Sequence, residues 1–365
     1  MPAAAKRVRR GRSASSTVAV TGAAGELGRR LLERLAQGED PPRLIGIDTH
    51  RGGTPDVTWR LADVRDPALA SRLKGVGTLV HLATDRSGDG DPLERRAVNV
   101  RGTEVVLAAA DSAGVERVVL VTSAMVFGAV PGSPVPLPDD APLRAEADEG
   151  LLGDWVEVER VAADFTAGHE TPRVTVVRPA SVVGPVSDGL LPRLFEAPRL
   201  LALRDGDPHW QFCHVDDVVS ALEWAALGRV EGAVTVGSEG WLTQREVEQV
   251  SGLRSIVVPS SMAFATAERL QRVGVLPAPA SELHYLFHPW VVGSERLRSA
   301  GWEPQWDNVG ALRAHLDALG DRAGRGALAR VQRRDATRAA AGATVAVVGA
   351  LAIARTRAAR RRRRG

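Results

Sequence analysis

The chain has 365 residues, 44% of them apolar and 25% charged, enough to bury a large core at an ordinary globular composition. Its formal net charge of +3 hides a division: residues 1–16 carry +5 and residues 321–365 carry +11, which leaves the body at −13. An acidic body argues against a folded, sequence-reading nucleic-acid face, and the lone Cys213 excludes an internal disulfide.

Residues 1–16 are expected to be a disordered basic N-terminus. They run through Ser13-Ala14-Ser15-Ser16 into the first strand without a secretory pattern. Cys213 lies in the alternating run Trp210-Gln211-Phe212-Cys213, where a buried structural thiol is expected. A reducing, cytoplasmic setting fits this cysteine usage.

In chain order, Thr17–Thr21 is a buried strand and Glu26–Gln37 a helix with an apolar stripe at Leu27, Leu31, Leu32 and Leu35. Arg43–Asp48, Val57–Ala62 and Thr78–Ala83 are strands, with a helix after Pro67. Leu93–Ala113 is a long helix, Val118–Thr122 a strand, Leu152–Gly168 a helix and Val174–Arg178 the sixth strand. Strands alternating with helices of this length predict an α/β fold, a Rossmann-like doubly wound parallel sheet over 17–185. Pro131–Pro142 is a loop. After Gly184-Pro185 the rhythm changes, predicting a smaller C-terminal substrate lobe over 186–318, with segments such as 210–227 returning to the core domain.

Residues 319–338 read as a polar, arginine-rich linker or exposed helix. Ala339–Ala354 is free of charge and is flanked by Arg338 and by Arg355, Arg357 and Arg360–Arg364. As a helix it spans about 24 Å against a hydrocarbon core of about 30 Å. Two readings stand: an anchor on the inner face of a membrane, its arginines snorkelling, or an alanine-rich packing helix. Residues 339–365 are thus a region of possible membrane contact. Oligomer formation is left open.

The motif Gly22-x-x-Gly25-x-x-Gly28 follows a strand and opens a helix. Gly22 permits the tight turn, Gly25 the close approach of a pyrophosphate, and Gly28 close helix–sheet packing. The helix N-terminus then offers amides to phosphate. Leu27, in the first helical turn, joins the glycines as a cofactor-binding candidate. Asp48 ends the second strand about 20 positions on, where it is expected to accept the adenosine ribose hydroxyls and repel a 2′-phosphate, favouring NAD over NADP.

These blocks resemble the NAD-dependent epimerase/dehydratase family, the extended short-chain dehydrogenases/reductases, over most of 17–318. Other carriers are Leu61-Ala62-Asp63-Val64-Arg65-Asp66, His81-Leu82-Ala83, Asn99-Val100-Arg101-Gly102-Thr103, Val121–Gly128, Arg178–Pro185, Gln211–Val218 and Leu297–Pro304. The resemblance implies that Asp63 and Val64 contact adenine and that Leu82 and Ala83 line the adenosine pocket. It implies that Asn99 orders the active-site backbone, Ser123 hydrogen-bonds the substrate's reacting oxygen, and Pro179 and Ala180 lie against the nicotinamide.

One block departs from the family. Its Tyr-x-x-x-Lys pair, in which lysine lowers the tyrosine pKa for proton transfer, has no counterpart: the corresponding helix reads Gly153-Asp154-Trp155-Val156-Glu157-Val158-Glu159. Trp155 falls at the tyrosine position and Glu159 at the lysine position, while the chain's one tyrosine is Tyr285 and its lysines are Lys6 and Lys74. Val126-Phe127-Gly128 likewise lacks the family's second aromatic hydroxyl. Indole is neither acid nor base at neutral pH, so a carboxylate among Asp154, Glu157 and Glu159 is the candidate substitute, Glu159 also for the ribose hydroxyls. Their default on a helix is a solvated face. Asp216 or Asp217 is expected to cap a helix Val218–Leu227 with His214 packed behind it, and no metal site is expected.

Two functions follow. One is an epimerase, dehydratase or dehydrogenase acting on a nucleotide-sugar-like or other hydroxylated small molecule with an altered proton relay. The other is a non-catalytic NAD(H)-binding sensor or scaffold, with or without a membrane tether.

Overall fold

The computed structural model describes residues 17–86, 91–185, 190–263, 265–266 and 280–330, with the side chains of 190, 280, 281 and 322–330 outside the description. Seven strands make one parallel sheet: β1 (Thr17–Thr21), β2 (Arg43–Asp48), β3 (Thr58–Leu61), β4 (Thr78–His81), β5 (Arg117–Val121), β6 (Arg173–Pro179) and β7 (Gly232–Val236). Their order is β7-β6-β5-β4-β1-β2-β3, and every neighbouring pair is parallel. The chain therefore winds outward in both directions from the β1–β4 seam, the place where such sheets bind ligands at their carboxyl edge. The seventh strand comes from beyond the predicted boundary at 185. Segment 186–318 returns to the large sheet as a strand as well as through the expected helix.

The apolar runs that read as strands are buried on both faces: Val18, Ala19 and Val20 in β1, and Val118 to Val121 in β5, are all at most 3% exposed. Helix α1 (Glu26–Ala36) covers one face through Gly28, Leu31, Leu32 and Leu35. Helices α2 (Gly102–Ser112) and α3 (Leu151–Gly168) follow β4 and β5. Helix α4 (Val215–Ala226) lies along α1, joined by Arg30–Asp216 at 3.0 Å and Arg34–Glu223 at 2.7 Å.

The smaller lobe holds two short parallel pairs, Ser181–Val183 with Phe212–His214 and Leu200–Leu203 with Ser255–Val258. Its α5 (Gln244–Ser251) starts at a capping box between Thr243 and Glu246. Cys213 is fully buried there, and burial pushes its thiol up, as expected of a structural cysteine.

Helix α4 starts differently from expectation. His214 itself is the cap, its Nδ1 accepting the Asp216 amide at 3.3 Å, and its ring stacks on Trp306 at 3.9 Å. Asp217 instead accepts the amides of Gln305 and Trp306 at 2.8 and 3.2 Å. The acid at the third helical position serves the late Gly301-Trp302 signature, because that loop crosses the helix start. Trp302 completes the junction by donating to Ser220 at 2.6 Å.

Of the segment 319–338, residues 319–330 are helical, within α6 (Asn308–Arg330), and 331–338 lie outside the described residues. Residues 339–354 lie outside the described residues. Among the described residues no helix is long and apolar enough to cross a membrane.

Candidate functional site

The cofactor end begins where β1 turns into α1. Gly22 has φ +65, and a Cβ there would stand 2.6 Å from the Leu82 carbonyl carbon. A Cβ on Gly28 would stand 2.3 Å from the Gly22 oxygen, so this helix can approach the loop only as glycine. Gly25 caps α1 in extended backbone with no capping side chain, and its amide closes the turn on Gly22 at 3.1 Å. The first amides of α1 thus carry no side-chain cap, and Leu27 in that turn is half-buried against the core. The loop fits a pyrophosphate held by backbone amides.

Asp48 ends β2 beside this loop. Its Oδ2 accepts the Ala24 amide at 3.0 Å and its Oδ1 the Thr49 amide at 2.8 Å, fixing the carboxylate at the edge of the loop. Asp63 is held by Arg65 at 2.8 Å, and that hydrogen bond keeps its carboxyl below the usual range. Val64 is buried beneath it. Leu82 and Ala83 leave β4 with their amides on the Thr21 hydroxyl, at 3.2 and 3.3 Å. That hydroxyl also meets His81 Nδ1 at 2.7 Å, and complete burial pushes His81 down to about 4. The neutral ring thereby ties β1 to β4 directly behind the loop.

Asn99 is fully buried on a π-helical turn, Ala97–Arg101, within the predicted long helix. Its Oδ1 accepts the Asp85 amide at 2.8 Å and its Nδ2 donates to the Asp85 carbonyl at 2.9 Å, bracing the segment after β4. The same amide group donates to Asp154 Oδ2 at 3.0 Å. The extra residue in the turn swings this side chain inward, a device common at functional sites.

The chemistry end is a narrow cleft at the carboxyl ends of β5 and β6, with about 50 Å³ of free volume. Thr122, Ser123 and Met125 line it from β5, Pro179 and Ala180 from β6, and Leu152 and Trp155 from α3. Ser123 Oγ accepts the Met125 amide at 3.2 Å, capping the short turn Ala124–Phe127. A hydroxyl accepting one bond still has its proton to donate. Trp155 is 4% exposed, and the Arg86 guanidinium sits 5.1 Å from its ring centroid.

Two of the three acids of α3, Asp154 and Glu159, are buried and not on a solvated face. Asp154 is buried against Arg95 at 2.7 Å. Glu157 pairs with Arg160 at 2.6 Å, and that hydrogen bond lowers its carboxyl. Glu159 grips Arg178, with Nε to Oε1 at 2.8 Å and Nη2 to Oε2 at 2.7 Å, and takes the Thr122 hydroxyl at 2.6 Å. Arg178 in turn donates to the Asp139 carbonyl at 3.1 Å and lies over the Phe127 ring. The expectation for Glu159 is therefore corrected: its carboxylate neutralises a buried arginine and does not line the cleft, whereas Trp155 does.

The acid that does line the cleft is Glu282, from the short helix Ala280–Leu286 of the smaller lobe. It is 8% exposed, and burial pushes its carboxyl up to about 7. Sequence reasoning passed over it. The available signal was a single acid in the apolar run Leu283, Tyr285, Leu286, Phe287 and Trp290. Three residues on, Tyr285 is 4% exposed and donates its hydroxyl to the Met125 carbonyl at 2.5 Å, joining this helix to the segment after Ser123. Among the described residues no group of His, Cys, Asp and Glu is gathered to hold a metal ion.

Known proteins resemble this chain in sequence and in fold. An uncharacterized protein of Mycobacterium tuberculosis is 29% identical over 310 residues, 81% of this chain and 82% of that protein. An N-acetyl-alpha-D-glucosaminyl-diphospho-ditrans,octacis-undecaprenol 4-epimerase of Escherichia coli O157:H7 is 26% identical over 216 residues, 58% of this chain and 63% of that protein. Among solved structures, dTDP-glucose 4,6-dehydratase of Bacillus anthracis in complex with NAD superposes with a TM-score of 0.61 at 17% identity, covering 84% of this chain and 96% of that one. MoeE5 in complex with UDP-glucuronic acid and NAD gives 0.62 at 23%, covering 84% and 99%. At those identities the structures establish the fold. Residues 18–237 match the sequence profile of the NAD dependent epimerase/dehydratase family, and with most of the chain spanned, this protein belongs to that family.

Proposed function

We propose that the protein binds NAD(H) at the β1–α1 loop and oxidises a hydroxyl of a nucleotide-sugar-like substrate in the adjoining cleft, as an epimerase, dehydratase or dehydrogenase. The observation that carries this reading is the make-up of the cleft. Ser123, Pro179 and Ala180 meet in it on the same sheet edge as the glycine loop, with Trp155 as one wall. MoeE5, a protein of similar fold, was solved with NAD and with UDP-glucuronic acid or UDP-glucose. When bound, NAD supplies the hydride acceptor. The chain supplies the amides of the glycine loop, Asp48 for the ribose and Ser123 for the reacting oxygen. The Asp48 carboxylate favours NAD over NADP, since a 2′-phosphate beside it is repelled.

Calorimetric titration with NAD and NADP tests the first half, with tighter binding of NAD expected and failure to bind either overturning the reading. The second half is tested by adding UDP-glucose, UDP-glucuronic acid or dTDP-glucose to the NAD complex and following both NADH absorbance and the sugar by NMR, since an epimerase or dehydratase returns its hydride. Binding of NAD with neither reduction nor sugar conversion favours the non-catalytic sensor, which the tryptophan at the tyrosine position motivates.

A further inference from the structure

We propose that Glu282 is the proton-transferring residue of this cleft, taking the part that tyrosine plays in the family's usual pair. The inference rests on the reading of the cleft as an NAD-dependent oxidoreductase site. In the forward step the substrate's hydroxyl oxygen gives its proton to the Glu282 carboxylate as the adjoining carbon loses hydride to the bound nicotinamide. The alcohol becomes a carbonyl, NAD becomes NADH, and the reverse step returns both.

The other candidates are engaged elsewhere. Asp154, Glu157 and Glu159 are each paired with an arginine and do not line the cleft. The Tyr285 hydroxyl is bonded to the Met125 carbonyl, and burial pushes it up, away from neutrality. The Trp155 indole carries no exchangeable proton of useful acidity. Glu282 lines the cleft together with Ser123, the residue that would hold the reacting oxygen. Its helix is tied in place by the Tyr285 bond and by Trp290 Nε1 donating to the Tyr285 carbonyl at 3.3 Å.

The charges around Glu282 suit the task. Burial and Asp148 push its carboxyl up, Arg193 and Arg95 pull it down, and the balance stands at about 7. Arg86 lines the same cleft from the segment after β4. A group half protonated near the working pH is the most effective general acid or base.

The test uses the full chain loaded with NAD, with UDP-glucose, UDP-glucuronic acid and dTDP-glucose as probes. Glu282→Gln is expected to bind NAD with unchanged affinity while single-turnover reduction slows roughly 10²–10⁴-fold and loses its titration near neutral pH. Glu282→Asp should keep part of the rate with a displaced pH profile, and serves alone if the glutamine variant does not fold. Independently of activity, carboxyl carbon NMR of glutamate-labelled protein should show one resonance titrating near pH 7 that vanishes in Glu282→Gln. Unchanged rate and profile in the glutamine variant, or no carboxyl titrating near neutrality, overturns the proposal. A wild type that binds NAD and neither reduces it nor converts any probe overturns the oxidoreductase reading, and this proposal falls with it.

Discussion

The two ends of the site are built in opposite ways. At the glycine loop, function is written in backbone: Gly22 and Gly28 are fixed by contacts of 2.6 and 2.3 Å that any Cβ would make, and the ligand-facing groups are amides. At the cleft, function is written in side chains from remote stretches of chain, with Ser123, Trp155 and Glu282 meeting across 159 sequence positions. A local motif tolerates no variation and is simple to recognise. An assembly of distant side chains can exchange one member for another without altering the fold around it.

The sharpest challenge to this contrast is the Glu159–Arg178 pair, which stands where the usual lysine would be but acts as structure. Glu159→Ala leaves a buried guanidinium unneutralised and is expected to cost about 3–5 kcal/mol, read by urea unfolding. Glu159→Lys, even combined with Trp155→Tyr, should do the same, because it sets a second cation against Arg178. A stable double variant would show that the pair is dispensable. Next, Gly22→Ala combines a left-handed φ with backbone overlap and should cost roughly 2–4 kcal/mol while abolishing NADH binding. Thermal unfolding and NADH fluorescence measure the two effects separately.

Glu282 gives a smaller effect with a definite sign. Its folded value of about 7 lies above the ordinary 4.5, so the native state holds the proton more tightly. Stability from this group is complete below about pH 4.5 and declines as pH rises through 7, by roughly 3 kcal/mol in total. Glu282→Gln should flatten that slope in denaturant titrations between pH 5 and 8, within roughly 1 kcal/mol of residual change from other groups. His81, pushed down to about 4, opposes it on the acid side, since its contribution is lost as pH falls below 6.5. The smallest effect is Tyr285→Phe, which removes one hydrogen bond and should cost about 1 kcal/mol, leaving NAD affinity unchanged.

What could be read from the sequence follows the same division. The strands, the glycine loop and Asp48 are carried by local pattern and Asn99 by the resemblance; in the structure Asp48 holds the Ala24 amide and Asn99 braces Asp85. Asp154 and Glu159 are visible in the sequence as residues, but not as ion pairs, because Arg95 and Arg178 reach them from other elements. Asp217 looked like a cap because its sequence position suits one. Tertiary packing gave that duty to His214 and turned Asp217 toward the 305–306 amides. Glu282 gave the faintest signal. Its character comes from burial and from Asp148, Arg193 and Arg95, none of them near it in sequence.

The hydrogen bond from Tyr285 to the Met125 carbonyl has a practical consequence. With one tyrosine in the whole chain, growth on 3-fluorotyrosine places a single fluorine nucleus at the seam between the large sheet domain and the smaller lobe. Its resonance reports directly on how that seam responds when nucleotide or sugar enters the cleft, without mutation and without overlapping signals. The residue whose position first set this chain apart thereby becomes its built-in spectroscopic probe.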